Sequence, residues 1–289
     1  MNHILCFGLG FTAGTLAERL ARRGWTVNAT SRSAAGAQAI AALGYRGLVF
    51  DGSKPLPPEA FDGVTHVIDS APPGDDGDPV LRQHARDFAA RARQFAWVAY
   101  LSTTGVYGDH GGGLVTEDTP LTPNTERGHK RLLAETQWLG LWREHALPVQ
   151  IFRLAGIYGP GRNQLLSLLD GSAKRVIKPG QVFSRIHVED IANTLEASIA
   201  NPRPGRAYNV CDDEACPPQD VVEFGARLLG LPVPRGVPIE SAQLSPMAKS
   251  FYADSKRVSN ARIVTELGVK LSYPTYREGL TAIAAELKR

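Results

Sequence analysis

Cysteine is scarce in this chain, and neither its cysteines nor its histidines are spaced as ligands. The 289 residues include three cysteines, Cys6, Cys211 and Cys216, and seven histidines. Thiols so few and so unevenly placed form no disulfide framework, and the last two are not a CxxC pair. The histidines show no HExxH or similar spacing. We therefore expect buried or incidental thiols and no metal site.

Long apolar runs and basic clusters are also missing. No run approaches the roughly 18 apolar residues that a membrane span needs, and the opening MNHILCFGLG lacks a basic stretch leading into a signal-peptide core. The formal charge of +3 is spread along the chain, which argues against nucleic acid or a membrane as partner. We expect a cytoplasmic protein with a small anionic ligand.

What the chain does contain is an alternation of short apolar strands and helical stretches through its first half. Such alternation is typical of a parallel sheet with helices on both faces, and six strands with this rhythm predict a doubly wound α/β fold of Rossmann type. The predicted strands run over residues 4–7, 26–30, 47–50, 66–69, 97–102 and 149–154. The predicted helices run over 13–23, 34–43, 79–94 and 126–144.

The second half is less regular and predicts a small C-terminal lobe. After GIYGPG comes a short helix at 164–169, then a basic, hairpin-like segment to Ser184, then a helix that Asp190 opens as N-terminal cap. AYNVCDD reads as one more strand. We expect a dinucleotide-binding domain of residues 1–160 and 186–213, and a substrate-binding lobe of residues 161–185 and 214–289.

The strongest motif is a GxGxxA directly after the first strand and at the opening of a helix. Gly8 permits a tight turn, Gly10 lets the backbone approach a pyrophosphate, and Ala13 or Gly14 lets helix and strand pack closely. The phosphates would lie at the helix N-terminus. Phe11 and Thr12, within the same turn, are expected cofactor contacts. The alternative is a Gly-rich turn that binds nothing.

The end of the second strand favours NADP over NAD. An acid there would accept hydrogen bonds from both ribose hydroxyls of NAD, but the chain reads NATSRS. Ser31 and Arg32 suit a 2′-phosphate, which an acid would repel. The alternative is that Arg32 points to solvent or stacks on adenine.

Three more residues are expected near the cofactor. Asp51 follows the third strand and is placed to meet the adenine edge, while Ser70 and Ala71 end the fourth strand beside the pyrophosphate and ribose. Each could equally serve turn chemistry.

Several stretches together resemble an extended short-chain dehydrogenase/reductase, the superfamily that includes nucleotide-sugar epimerases and dehydratases. They occur in that family's order across most of the chain. The resemblance implies a Rossmann fold and a nicotinamide cofactor. The stretches are FGLGFTAG, VAYLSTTGVYG, VTEDTPLTP, RLAGIYGPGR, RIHVEDIANTL, AYNVCDD and the closing SNARIVTELGVKLSYPTYREGL.

The resemblance breaks at the catalytic helix, TERGHKRLLAE. In the family a serine or threonine, a tyrosine and a lysine four residues on form the active site, with the tyrosine as acid/base. The resemblance puts Thr103 at the hydroxyl position, with Ser102 beside it. The dehydratases of the family carry an acidic pair directly after this hydroxyl, but this chain does not. Arg127 then stands at the tyrosine position and Arg131 at the lysine position. A shift by one residue would place Glu126 and Lys130 there instead.

Arginine changes what this site can do. A guanidinium stays protonated, so Arg127 cannot exchange a proton as a phenol does, but it can stabilise an oxyanion or grip a carboxylate or phosphate. Arg131, one turn along, could replace lysine as donor to the ribose hydroxyls. Other cations either extend an electropositive cleft or are separate solvated charges; these are Arg153, Arg162, Lys178 and Arg185. Substitute acids or bases are not obvious; the candidates are His129, Lys130, Tyr107 and Tyr158.

Two functions follow from these observations. The first is an NADP-dependent oxidoreductase or epimerase that acts on a small anionic or nucleotide-linked substrate, with Thr103 and Arg127 stabilising the developing charge. The second is a catalytically silent NADP-binding sensor or regulatory protein. The resemblance also implies a homodimer through the helices near 80–94 and 127–143, although Trp138, Leu139 and Trp142 could be ordinary core.

Overall fold

The structure of the chain is a computed structural model that describes residues 2–287, and the side chains of all of these except 246 and 247. Its strands are β1 His3–Phe7, β2 Thr26–Ser31, β3 Arg46–Val49, β4 His66–Asp69, β5 Trp97–Thr103, β6 Leu114–Val115, β7 Val149–Leu154, β8 Gly156–Tyr158, β9 Arg175–Ile177, β10 Arg185–His187, β11 Ala207–Val210, β12 Gly236–Pro238 and β13 Arg257–Val258. Its α-helices are α1 Phe11–Arg22, α2 Ala34–Ala42, α3 Pro79–Ala90, α4 Glu126–His145, α5 Gln164–Leu169, α6 Val188–Ala200, α7 Pro218–Leu229, α8 Pro246–Phe251, α9 Ala261–Leu267 and α10 Tyr276–Leu287.

Seven strands form one parallel sheet in the order β11-β7-β5-β4-β1-β2-β3, which confirms the predicted Rossmann-type fold. The strand order reverses between β1 and β4, where Leu5 pairs with Val67, while β1 pairs with β2 on its other side. The central strands are apolar runs because helices cover both faces of a parallel sheet. A cofactor of such a fold binds at the carboxyl ends of the strands, at this reversal.

The chain divides into two compact units, each assembled from three separate stretches of sequence. Unit 1 comprises residues 1–103, 129–153 and 194–208, and unit 2 comprises 104–128, 154–193 and 209–289. This division does not show which segments bind dinucleotide or substrate, so the predicted domains stay a prediction. Their outermost residues, 1 and 288–289, lie outside the described part of the chain.

Unit 1 owes its stability to apolar residues at sheet and helix spacing. In α1 the buried positions recur every three or four residues, at Thr12, Ala13, Leu16, Ala17 and Leu20, so one face of the helix packs inward. Of the aromatic residues named above, Trp138 is fully buried and belongs to the core, whereas Trp142 is 37% exposed.

All three cysteines are buried. Cys6 lies in unit 1, and Cys211 and Cys216 lie in unit 2.

Unit 2 contains the elements that the sequence left least regular. Its apolar cluster joins Tyr158, Leu165, Val221 and Tyr276 with residues of α10. The predicted hairpin before Ser184 is wrong, because β9 pairs in parallel with the distant β12. Asp190 is not the cap of α6 but lies in its first turn, where its carboxylate accepts the Ser272 and Tyr273 amides at 2.6 and 3.0 Å.

Among residues 2–287, no helix combines the length and apolar character needed to cross a bilayer.

Candidate cofactor site and the start of helix α4

The turn after β1 requires glycine at its first position. Gly8 has φ +83°, a conformation that a Cβ disfavours. A Cβ added there would lie 2.8 Å from the Ser70 hydroxyl oxygen. The Gly8 amide donates to Thr30 Oγ1 at 2.9 Å. Sterics and backbone conformation therefore both select the glycine that the motif predicted.

Helix α1 begins at this turn with its amides available to an anion. Gly10 is the N-cap, and as a glycine it supplies no side-chain oxygen to the first-turn amides of Phe11, Thr12 and Ala13. Apart from its neighbours in sequence, a Cβ on Gly10 would meet no atom of the described chain within 4 Å. Helices α2 and α3, by contrast, are capped by Ser33 and Asp78. Open space at uncapped amides, with the positive end of the helix dipole, fits a pyrophosphate.

The end of β2 carries the residues expected to recognise a 2′-phosphate. Ser31 Oγ is directed at Gly36, where a Cβ would lie only 1.9 Å from it. Arg32 is exposed and forms no hydrogen bond or ion pair with the described residues. Ser33, which our sequence analysis did not select, caps α2 by accepting the Gly36 amide at 3.1 Å. The serine before a helical run was the available signal.

Asp51 and Ser70 both make local hydrogen bonds. Asp51 Oδ1 accepts the Ser53 amide at 2.9 Å and the Ser53 hydroxyl at 2.6 Å, and these bonds lower the pKa of the Asp51 carboxyl. Ser70 Oγ bonds the carbonyls of Phe7 and Gly8, each at 3.0 Å. Ser70 therefore ties the end of β4 to the glycine turn, and the adenine contact of Asp51 remains a prediction.

Ser102 is held within a buried polar network beneath the end of β5. Its hydroxyl donates to Glu135 Oε1 at 2.5 Å. Arg153 grips the same carboxylate through Nε, at 3.2 Å to both oxygens, and through a terminal nitrogen at 2.8 Å. Glu135 and Arg153 are 1% and 4% exposed. Arg153 is thus not part of an electropositive cleft, because its charge is neutralised in the core, and Ser102 has a structural partner.

Arg131 is turned toward the sheet. One terminal nitrogen donates to the Tyr100 hydroxyl at 3.1 Å and to the Leu101 carbonyl at 2.7 Å. Tyr100, which sequence reasoning missed, is fully buried in β5. A guanidinium has five N–H donors, so these two bonds occupy only part of it. Its neighbour Lys130 pairs with Asp75 at 2.7 Å.

The first turn of α4 belongs to unit 2. Arg127 is exposed, and its guanidinium lies 5.8 Å from the ring centroid of Phe251. Gly128 is buried, and a Cβ there would lie 2.8 Å from Pro123 Cβ and 2.9 Å from the Gly105 carbonyl oxygen. A side chain at position 128 would clash with these two residues, so the packing requires a glycine directly after Arg127.

Other predicted residues of unit 2 form hydrogen bonds within that unit. Tyr107 is fully buried and its hydroxyl donates to Asn209 at 2.7 Å. The Tyr158 hydroxyl donates to the Thr275 carbonyl at 3.4 Å, and burial raises the pKa of Tyr158 well above its usual range. Lys178 donates to the Tyr252 carbonyl at 2.5 Å, and Arg185 donates to the Phe183 carbonyl at 3.0 Å.

Comparisons with known proteins identify relatives over the whole chain. The model described as the NAD dependent epimerase/dehydratase family matches residues 88–211. A functionally unknown conserved protein from Silicibacter pomeroyi is 52% identical, with complete coverage of both chains and a TM-score of 0.92. Protein YeeZ of Escherichia coli is 29% identical over 95% of this chain and 97% of its own. The dTDP-glucose 4,6-dehydratase of Bacillus anthracis, solved in complex with NAD, shares the fold at 18% identity, covering 100% and 97% of the two chains, with a TM-score of 0.78.

Proposed function

We propose that the chain, whose residues 88–211 match the NAD dependent epimerase/dehydratase family, is an NADP-dependent oxidoreductase or epimerase whose substrate is small and anionic or nucleotide-linked. The observation that carries the proposal is the cofactor end of unit 1. There the Gly8 turn and the uncapped start of α1 lie at the reversal of strand order, and this arrangement supports a bound pyrophosphate.

The preference for NADP rests on the end of β2. Arg32 has no competing partner among the described residues, and its guanidinium can bond a phosphate through two parallel N–H groups. Ser31 adds a hydroxyl at the same strand end. An NAD-specific site would instead need a carboxylate there for the ribose hydroxyls.

The chemistry must proceed without the usual tyrosine. Thr103 is the proposed hydroxyl donor, and Arg127 the proposed cation for the developing negative charge. Arg131 is the proposed donor to the nicotinamide ribose, through the N–H groups that Tyr100 and Leu101 leave unused. Water or a further residue moves the proton. The nicotinamide supplies or accepts the hydride when it is bound.

A second candidate, an NADP-binding protein without turnover, is favoured by the engagement of the substitute acids and bases. The hydroxyls of Tyr107 and Tyr158 bond Asn209 and the Thr275 carbonyl, and Lys130 forms an ion pair with Asp75. None of these three side chains resembles a base poised toward a substrate.

Calorimetric titration with NADPH and NADH tests the cofactor proposal. We expect Arg32→Ala to weaken NADPH binding by about tenfold or more, the loss of one charge-assisted contact, while NADH binding is unchanged. Arg93→Ala, an exposed arginine elsewhere in unit 1, is the matched control and should bind as wild type. No binding of either nucleotide near millimolar concentration would refute the cofactor proposal.

Turnover separates the two candidates. The protein is incubated with NADPH or NADP and a panel of carbonyl compounds and nucleotide sugars, and nicotinamide absorbance and sugar products are measured. An enzyme should lose turnover in Thr103→Val and Arg127→Ala while it still binds NADPH. Tight binding with no product across the panel would instead support the silent NADP-binding protein.

A further inference from the structure

The loop of residues 50–57 follows β3 at the carboxyl edge of the sheet in unit 1. At its start the Phe50 amide donates to the Ser31 carbonyl at 2.8 Å, so the loop adjoins the strand end proposed to recognise the 2′-phosphate. Asp51, the expected adenine contact, is exposed. Its two bonds to Ser53 both use Oδ1, and Oδ2 stays available to a ligand.

Two consecutive side chains of α3 hold this loop by its backbone. Arg82 donates through a terminal nitrogen, and Gln83 through its amide nitrogen, to the Gly52 carbonyl, each at 2.9 Å. Gly52 is buried, and a Cβ there would come within 3.1 Å of Pro79 Cβ. A carbonyl oxygen has two lone pairs, so the two donors saturate it and fix the peptide that follows Gly52.

The next residue of α3, His84, holds the far end of the loop. Its Nε2 accepts the Leu56 amide at 3.0 Å, and its Nδ1 lies 2.9 Å from Asp87 Oδ2. Because a backbone amide only donates, Nε2 carries no proton, and Nδ1 carries the proton that Asp87 accepts.

The surroundings of His84 keep this arrangement in place. The side chain is 0% exposed. Its ring contacts three phenylalanine rings, whose centroids lie 5.8, 5.7 and 5.2 Å away; these are Phe7, Phe50 and Phe61. The neutral imidazole, in one tautomer, is therefore a fixed acceptor for the loop.

We propose that Arg82, Gln83 and His84 are positioning residues for the adenine end of the cofactor. They hold the loop of residues 50–57 so that the Asp51 carboxylate meets the adenine amino group. Anchors at both ends order the loop before a nucleotide arrives, so that less ordering entropy opposes binding. The base contact rests on the proposed function, whereas the hydrogen bonds from α3 do not.

The bond to His84 is tested without nucleotide, by ¹⁵N NMR of the histidine rings. Near neutral pH the folded protein should show His84 with an unprotonated Nε2 and a protonated Nδ1. The signals are assigned by their loss in His84→Gln, whose side-chain oxygen can accept the Leu56 amide in place of Nε2. A protonated Nε2 would contradict the acceptor role of His84.

Base selectivity tests the positioning role. Adenine presents an amino donor to a carboxylate, whereas hypoxanthine has a carbonyl oxygen at the same position. Wild type should therefore bind NADPH about tenfold more tightly than its hypoxanthine analogue, deamino-NADPH, because the analogue lacks one hydrogen bond to a charged group. Arg82→Met/Gln83→Met removes both donors to Gly52 and keeps the apolar stems. It should bind NADPH about tenfold more weakly than wild type and the analogue about equally well.

The matched control is Arg86→Met, which changes an exposed arginine on the same helix and should keep the wild-type preference for adenine. If the double variant does not fold, Gln83→Met alone should lower the preference, by about threefold.

Equal weakening of both nucleotides in the double variant would show that the two side chains serve stability alone, and would overturn the positioning role. Equal binding of both nucleotides by wild type would overturn it too, since Asp51 would then not contact the base. If wild type binds neither nucleotide, the proposed function fails and the positioning role with it, whereas the NMR signals of His84 still decide whether its ring holds the loop.

Discussion

The buried Glu135–Arg153 pair should respond very differently to single and double substitution. Arg153 bonds the Glu135 carboxylate through two nitrogens, and Ser102 donates to the same group at 2.5 Å. The two charged side chains are 1% and 5% exposed. Neither charge can be rehydrated in place if its partner is removed.

The magnitude follows from that burial. Glu135→Leu would leave Arg153 as an uncompensated buried cation, which costs about 3–5 kcal/mol. It would also remove the acceptor of Ser102, which adds about 1 kcal/mol. A domain is typically stable by about 5–15 kcal/mol, so the single variant should be close to unfolding.

The double variant Glu135→Leu/Arg153→Met removes both charges and keeps the volume. We expect it to recover most of the loss, to within about 2 kcal/mol of wild type, because apolar replacement of a buried pair is often neutral. Urea unfolding followed by tryptophan fluorescence measures all variants, with Ser102→Ala as the control for the hydroxyl alone. If the double variant loses as much free energy of unfolding as the two single variants lose together, the reasoning is refuted.

Three further predictions concern the turn, a buried acid and a buried hydroxyl. Gly8→Ala should lose about 2 kcal/mol of stability from positive φ and the clash with Ser70, and NADPH binding with it; Gly24→Ala, at φ +80° in open space, should lose only stability. Burial raises the pKa of Asp212 to about 8, so its folded form keeps a proton that the unfolded chain has lost. Wild type should accordingly lose about 1.4 kcal/mol per pH unit relative to Asp212→Asn from about pH 4 to 8, and parallel urea-unfolding profiles would contradict this. Tyr107→Phe should cost about 1–3 kcal/mol, because Asn209 loses its donor, yet any turnover that wild type shows should persist; abolished turnover in a folded variant would instead make Tyr107 an acid/base.

Much of the fold followed from local chemistry. The apolar strands and the GxGxxA turn could be predicted because the spacing of apolar residues and the conformational freedom of glycine are local properties of the sequence. Gly8 has the positive φ that a tight turn requires. The hairpin failed because β9 pairs with β12, about sixty residues away in sequence. No local pattern reports a pairing at that distance.

The sequence by itself determined the Rossmann-type sheet, the glycine turn, and the presence of Arg127 where the family that it resembles carries a tyrosine. Only the tertiary structure decided which charges are buried and with what partners. The sequence left Arg153 as either a cation of a cleft or a solvated charge, whereas the structure pairs it with the buried Glu135. Protonation and ion pairing depend on burial and on donors brought in by other elements, and these are properties of the packed chain.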